Sequence, residues 1–336
     1  MTARTPVGIL GYRGYSGQEL VQILVHHRFA EPVLLEHRDA QDRPRPLGHP
    51  GPRRIPFSPE NVHAEGLAAV FLATPADVSM DLVPPLLDAG AKVIDLSAAF
   101  RLRSPAEFQR WYKEPHTQPA LLQEAVYGLP EFCRSRIPAA RLIANPGCYP
   151  TAANLALRPL LEAGVIEREA GIVCDAKSGV SGMGRKPNLR NSFCEVTENF
   201  GTYAILEHRH VPEILAISGL EEGELSFTAQ LLPIDRGILE TIYFRASGVS
   251  SDAELIEIYQ QHYRAEPLLR MYAAGQVPDV KSVSRTHFCD IGVRYDPATR
   301  RTVVVAAIDN LLKGAASQAI QNMNLTLGFP ETEGLL

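Results

Sequence analysis

The chain's first forty residues place an apolar run, a glycine-spaced turn and a helical pattern in one order, and that order excludes most folds. Residues 7–11, "VGILG", form a short apolar run; residues 17–27, "GQELVQILVHH", carry Leu20, Ile23 and Leu24 at helical spacing; residues 32–38, "PVLLEHR", form a second apolar run. Strand, helix and strand in this succession make a βαβ unit, which lays its two strands parallel. Further strands are predicted at 68–74, 91–97 and 141–145, with a helix at 78–90 between the first two. Continued alternation of this kind predicts an α/β fold with a Rossmann-type doubly wound parallel sheet.

The texture changes from residue 171. Long strand patterns at 224–234, 238–246, 286–296 and 301–309, interrupted by one helix at 252–264, predict an α+β domain with a mixed, largely antiparallel sheet. The expected division is a dinucleotide-binding domain over 1–147, a catalytic domain over 148–312, and a C-terminal helix over 313–336 that returns to the first domain. Residues 41–60 are rich in Pro and Arg and read as a surface loop.

A chain of 336 residues with 33 Lys plus Arg against 38 Asp plus Glu carries a net charge of -5, which gives no polybasic footprint for nucleic acid or an anionic membrane. No apolar run is long enough to span a bilayer and the N-terminus lacks a signal-peptide pattern, so a cytoplasmic enzyme working on a small molecule is expected. Five cysteines, at 133, 148, 174, 194 and 289, are scattered without CxxC spacing and suggest neither a disulfide framework nor a metal site.

Gly11, Gly14 and Gly17 lie between the first strand and the first helix. Glycines there permit a tight turn and bring backbone amides to a pyrophosphate lying on a helix N-terminus, although this spacing is weaker than the usual dinucleotide fingerprint. At the end of the second strand, Glu36 would suit the free ribose hydroxyl of NAD and Arg38 the 2′-phosphate of NADP. NADP is the favoured reading; a solvated loop charge is the competing one for Arg38.

Residues 145–161, "NPGCYPTAANLALRPLL", place Cys148 after a turn and at the start of a helix whose buried face is Leu155, Leu157, Leu160 and Leu161. A helix N-terminus favours the thiolate and presents it to a cleft. Cys174 and Cys289 lie within apolar strands and read as core. A thiolate beside a nicotinamide implies attack on an activated carboxyl, a thioester, and reduction to an aldehyde, which needs a general acid/base. His208 and His210 in "HRHVPEI" are the candidates; His26, His27 and His63 read as surface residues. The glycine-rich "SGVSGMGRKP" at 178–187 could cradle an oxyanion with its amides and hydroxyls, or be an ordinary charged surface loop.

Taken together, "ANPGCYPTAANLAL", "VIDLSAAFRL" (93–102), "EAVYGLPE" (124–131), "AKSGVSGMGRKP" (176–187), "HRHVPEI" (208–214), "LLPIDRGIL" (231–239) and "IDNLLKGAASQAIQNMNL" (308–325) resemble the N-acetyl-γ-glutamyl-phosphate reductase family, NADPH-dependent enzymes of arginine biosynthesis. The resemblance covers essentially the whole chain. It implies Cys148 as nucleophile and His210 as acid/base, with Arg101, Ser178, Gly179 and His208 at the substrate. It further implies Gly11, Gly14, Tyr15, Ser16, Gly17, Arg38, Ser97 and Asn310 at the cofactor, NADP as that cofactor, no metal, and a homodimer or homotetramer. The domains are expected to enclose the ligands in the crevice between them. Two departures stand out: the first loop reads "GYRGYSG" where "GASGYTG" is common, so Tyr12 and Arg13 replace smaller residues, and Ala99 replaces a usual Asp.

Two other readings compete. A relative that reduces carrier-protein-linked aminoadipyl phosphate in lysine biosynthesis shares the chemistry and would need a basic rim, for which Arg43, Arg45, Arg53 and Arg54 are available. A catalytically silent dinucleotide-binding regulator would keep the fold without a reactive Cys148. Aspartate-semialdehyde dehydrogenase shares the architecture and fits the motifs less well.

Overall fold

In the computed structural model, residues 4–37 and 51–336 are described. The chain divides into two compact units, crossing from the first to the second after Pro146 and returning after Gly314; Arg110–Lys113 also belongs to the second unit.

Mainly apolar strands form the heart of the first unit. They are β1 (Thr5–Leu10), β2 (Ala30–Glu36), β3 (Arg54–Pro56), β4 (Ala69–Leu72), β5 (Lys92–Asp95), β6 (Val126–Tyr127) and β7 (Leu142–Ala144). All pairings are parallel, in the order β3-β2-β1-β4-β5-β7-β6. Val7, Ile9, Leu10, Ala69, Val70, Phe71, Leu72, Val93 and Ile94 are wholly buried, as continuous apolar runs covered by helices on both faces must be. Leu10 pairs with Leu35 of β2 and Leu72 of β4, so the strand order reverses at β1, where doubly wound sheets leave room for a ligand.

The second unit carries β8 (Ile172–Gly179), β9 (Gly201–Tyr203), β10 (Leu225–Leu232), β11 (Ile238–Arg245), β12 (Leu269–Met271), β13 (Cys289–Asp296) and β14 (Arg301–Ile308). Their order is β12-β13-β14-β11-β8-β10-β9; β8 with β10 and β12 with β13 are parallel and the other pairs antiparallel. This is the mixed sheet the strand patterns predicted. The helix Cys148–Glu162 packs on β11 and β14, with Leu155, Leu157 and Leu160 fully buried; Leu161, expected on that face, is half-buried.

Three expectations need correction. The segment 41–60 was expected to be loop; residues 38–50 lie outside the described residues, but Arg54–Pro56 forms edge strand β3 against β2 and Pro59–Ala64 forms a helix capped by Ser58. Three residues at a sheet edge are too few to show a strand period, and Pro56 argued against one. His27 is buried, not solvated: its Nδ1 accepts the Ala30 amide at 2.9 Å, so its Nε2 donates to Asn324 Oδ1 at 3.0 Å, and burial pushes its pKa down. The C-terminal helix predicted from 313 is α-helical only over Ser317–Leu327; Leu312–Ala316 before it is a π-helical turn.

Candidate functional site

In the first unit the glycine loop is shaped by backbone contacts no side chain would allow. Gly11 has φ +78° and a Cβ there would lie 2.2 Å from the Ala73 carbonyl oxygen; a Cβ on Gly17 would lie 2.4 Å from the Gly11 oxygen. The helix Tyr15–Val25 therefore closes directly onto the loop, with Gly14 as N-cap and no side-chain cap. Tyr15, Ser16 and Gly17 form its first turn, the positive end of the helix dipole at the sheet's switch point. A closely packed, uncapped helix start is what a pyrophosphate requires, so these residues fit a dinucleotide.

At the end of β2, Glu36 Oε1 accepts Tyr12 Oη at 3.1 Å and Arg13 Nη2 at 3.3 Å, and Arg54 Nη1 lies 3.7 Å away. The Arg13 and Arg54 guanidinium carbons lie 4.6 and 5.5 Å from the Tyr12 ring centroid, so the aromatic ring carries two cations. Burial and the Glu36 bond push the Tyr12 phenol up to about 12. Arg38, the sequence candidate for this corner, lies outside the described residues, as do Arg43 and Arg45; Arg53 is paired with Glu65 at 2.5 Å.

Ser97 follows β5 and donates its hydroxyl to Asp95 Oδ2 at 2.7 Å, while its oxygen accepts the Ala99 amide at 3.1 Å. With its one proton committed, Ser97 can offer a ligand only a lone pair. Arg101 donates from Nε to the Asn145 carbonyl and from Nη2 to the Leu96 carbonyl, each at 2.8 Å. The "NPG" turn is also tied from the C-terminal helix: Asn322 Nδ2 donates to Asn145 Oδ1 and to the Gly128 carbonyl, and Asn145 Nδ2 donates to the Ala315 carbonyl. These bonds give a physical reason for the polar "SQAIQNMN" pattern, whose Gln318, Gln321, Asn322 and Asn324 are buried.

In the second unit Cys148 is the first residue of its helix, with Gly147 as N-cap and no side-chain cap. Cys148 is half-buried. Gly147 is held at both ends, its N–H donating to Glu213 Oε1 at 2.7 Å and its carbonyl accepting both the Thr151 amide and the Thr151 hydroxyl. Glu213 lies in the first turn of the helix Val211–Ser218, whose N-cap is His210, so the His pair and the Cys148 turn are fastened by one carboxylate. His208 is buried and its Nδ1 accepts the His210 backbone N–H at 3.2 Å; burial and the Arg209 charge lower it to about 4, so it is neutral at pH 7.

The rings of His208 and His210 lie 5.0 Å apart, with Tyr149 at 5.4 and 5.9 Å from them and Tyr203 5.4 Å from His208. The two tyrosine hydroxyls are 3.2 Å apart. Burial raises both phenols, and a charge on Cys148 raises them further, which puts the sulfur within electrostatic reach of this cluster.

The loop after β8 is locked by its neighbours. Ser178, buried, donates to the Gly179 carbonyl at 3.0 Å, and a Cβ on Gly179 would lie 2.7 Å from the Arg236 amide. Asn310 clamps this region: its Oδ1 accepts the Gly237 amide at 2.6 Å and its Nδ2 donates to Ser181 Oγ at 3.0 Å. Both ends of that amide, assigned from sequence to the nicotinamide, have partners inside the unit. Arg236 and Asp309, both buried, form an ion pair at 3.1 Å beside it. Cys174 and Cys289 are buried as expected, and the Cys174 thiol lies 3.7 Å from Glu240 with its pKa pushed well up by burial.

Sequence reasoning passed over Tyr149, Tyr203, Glu213 and Gly314. A Cβ on Gly314 would lie 2.8 Å from the Cys148 Cβ. Glu213 and Gly314 were visible as members of quoted motifs, but only three-dimensional packing gives them a partner.

Residues 6–140 match the semialdehyde dehydrogenase NAD binding domain, and residues 148–310 the semialdehyde dehydrogenase dimerisation domain. Aspartate semialdehyde dehydrogenase II from Vibrio cholerae, complexed with ASA, superimposes with a TM-score of 0.72 at 17% identity over 97% of this chain and 99% of that one, which shows the shared fold. The N-acetyl-gamma-glutamyl-phosphate reductase of Symbiobacterium thermophilum is 48% identical over 100% of this chain and 98% of its own length. Those of Geobacter metallireducens and Bacillus subtilis are 44% and 41% identical over 98% of this chain and 97% of theirs. The chain binds a nicotinamide dinucleotide through its first unit and belongs to the N-acetyl-gamma-glutamyl-phosphate reductase family.

Proposed function

We propose that the protein reduces N-acetyl-γ-glutamyl phosphate to N-acetylglutamate 5-semialdehyde and phosphate, in arginine biosynthesis, using NADPH. The observation that carries this reading is Cys148 at an uncapped helix N-terminus, fastened through Glu213 to the helix that begins at His210. The relatives named above bear the acetylglutamyl name, which favours this substrate over an aminoadipyl one and an enzyme over a silent regulator.

The Cys148 thiolate attacks the acyl carbon, the carbon–sulfur bond forms, and the carbon–oxygen bond to phosphate breaks, leaving a thioester. Ser178 and Gly179 shape the loop that meets the phosphate, the amides of Gly179, Val180 and Ser181 donating to the carbonyls of Gly237, Ile234 and Asp235, and Arg101 takes a carboxylate or phosphate with its planar guanidinium. NADPH supplies the hydride when bound. Gly11, Gly14, Tyr15, Ser16 and Gly17 hold the pyrophosphate, and Ser97 accepts a hydrogen bond from the cofactor. His210 gives a proton to the oxygen of the reduced thioester and takes it back as the carbon–sulfur bond breaks, releasing aldehyde and restoring the thiolate. His208, kept neutral by burial, orients the His210 backbone. Asn310 acts through the loops it clamps.

For NADP in place of NAD, the support is the corner around Glu36, where Arg13 and Arg54 approach the carboxylate from two elements and offset its charge. A 2′-phosphate is welcome where cations outnumber the carboxylate. A homo-oligomer agrees with the dimerisation domain matched over 148–310. No helix among the described residues is long and apolar enough to cross a membrane.

Cys148→Ser tests the mechanism. The variant should lose activity by on the order of 10³-fold or more, and wild-type enzyme given acyl phosphate without reductant should carry an acetylglutamyl adduct on Cys148 by mass spectrometry. Retained activity, or an adduct on another residue, refutes the assignment.

A further inference from the structure

Ser178 of β8, Ile238 of β11 and Ile308 of β14 lie in one row of the second sheet, paired in register across three neighbouring strands. The chain therefore passes the same end of that sheet three times, as 179–181 leaving β8, as 234–237 entering β11 and as 309–314 leaving β14. The first of these passages belongs to the loop read as meeting phosphate. The last ends against the nucleophile, since a Cβ on Gly314 would lie 2.8 Å from the Cys148 Cβ and 3.3 Å from the Asp309 carbonyl oxygen.

Two buried charges, Asp309 and Arg236, join the three passages. Asp309 Oδ1 accepts the Leu311 and Leu312 amides at 2.9 and 3.1 Å, and the Asp309 carbonyl accepts the Gly314 amide at 3.0 Å, so the π-helical turn is folded back onto this one residue. Its Oδ2 accepts the Arg285 amide at 2.7 Å and pairs with Arg236 Nε at 3.1 Å. The Arg236 backbone is in turn pressed against the loop after β8: a Cβ on Gly179 would lie 2.7 Å from the Arg236 amide. His287 also feels the Asp309 charge, but burial outweighs it and pushes the imidazole pKa down, which leaves Arg236 as the cation paired with Asp309. A buried ion pair adds little net stability over apolar side chains of the same volume, so the worth of this one lies in where it sets the backbone.

We propose that Asp309 and Arg236 are a positioning pair for the reaction at Cys148, holding the turn that abuts the nucleophile and the loop after β8 at a fixed separation. This rests on the reductase reading, in which Sγ takes the acyl carbon while phosphate departs toward that loop. Both ends of the breaking bond must then be met at once, and an error of about 1 Å between them can cost about 100-fold in rate. Neither residue reaches the reacting atoms by the contacts above. Asp309 acts through the Gly314 amide, and Arg236 through the backbone packed on Gly179.

The test compares Asp309→Asn with the double variant Asp309→Asn, Arg236→Met. The single variant keeps an oxygen for the Leu311 and Leu312 amides but leaves the Arg236 charge buried without its counter-charge, so its unfolding temperature should fall; the double variant buries no charge and should recover most of that loss. In both, kcat should stay down by on the order of tenfold or more with NADPH binding unchanged. Iodoacetamide should label the half-buried Cys148 about threefold faster or more per folded molecule, because the released turn no longer walls the thiol, while buried Cys174 and Cys289 remain unlabelled. A slower enzyme with a more accessible thiol is a combination that mere loss of stability does not produce. Recovery of wild-type kcat along with the recovered stability refutes the proposal, and so does a wild-type labelling rate at Cys148. A double variant that fails to fold refutes it as well, since the pair then serves the fold and not the site. Labelling needs no substrate, so wild-type protein without reductase activity would overturn the reductase reading alone and leave labelling to decide whether the pair holds the turn against Cys148.

Discussion

Gly314 occupies the space that a methyl group would contest with Cys148. It sits within the π-helical turn Leu312–Ala316, a wider turn than an α-helix makes and one often found at functional sites. An added Cβ would stand 2.8 Å from the Cys148 Cβ, a closeness real Cβ atoms essentially never show, and 3.3 Å from its Cα. Something must move, and the nucleophile is the nearer partner. A displacement of about 1 Å at a reacting atom can cost about 100-fold in rate. Gly314→Ala should therefore lower kcat by roughly 10- to 100-fold with KM little changed, and slow alkylation of Cys148 by iodoacetamide in parallel. A purely structural role would lower the thermal midpoint and leave the alkylation rate per folded molecule alone. At this scale the sequence was readable where chemistry dictates residue type: a thiol after a turn and two histidines two apart. It was silent on Gly314 and Glu213, because a glycine's close approach and a carboxylate's backbone partner depend on segments 166 and 66 positions away.

Elements were legible where the apolar period was long, as in β1, β4, β8 and the helix from Cys148, and illegible where it was not. β3, β6, β9 and β12 have three, two, three and three residues, too short to show alternation, and β7, equally short, was legible only as the apolar centre of 141–145. The helix Cys148–Glu162 shows how tertiary context overrides a local rule. Pro159 has no N–H, so the Leu155 carbonyl loses its usual i+4 donor. Tyr263, just past the helix Asp252–His262, supplies the missing bond, its Oη donating to the Leu155 carbonyl at 2.7 Å in a buried setting. Its neighbour Tyr259 donates to the Ala156 carbonyl. Tyr263→Phe keeps the ring and removes only the donor, leaving a buried acceptor short of a partner at a cost of about 1–3 kcal/mol. Urea denaturation should show that loss with an unchanged m-value, and kcat should stay within twofold of wild type. Wild-type stability would mean that another group satisfies the Leu155 carbonyl.

At the scale of the whole molecule, a parallel sheet followed by a mixed sheet was foreseeable from where helical and strand periods alternate along the chain, though not that each has seven strands. Charge was less legible. A net of -5 conceals a local excess of cations where Arg13 from the glycine loop and Arg54 from β3 meet Glu36 of β2 across the sheet edge. In the sequence Arg13 looked like a departure from the usual loop and Arg54 like part of a basic stretch; the parallel pairing of Glu36 with Pro56 is what brings them together. If this corner selects the phosphorylated cofactor, the consequence reaches global stability, because a ligand bound only by the folded state adds about 2.7 kcal/mol at a hundred times its Kd. NADPH should then raise the unfolding temperature at concentrations where NADH does little. Replacing both arginines by alanine should weaken NADPH binding by about 10- to 100-fold, the worth of one or two charge-assisted hydrogen bonds. Calorimetric titration should show the NADH affinity unchanged or slightly improved, since Glu36 would then be released toward a ribose hydroxyl. An equal loss for both cofactors would mean that the arginines support the loop and do not read the phosphate, and the selection would then fall to residues outside this corner.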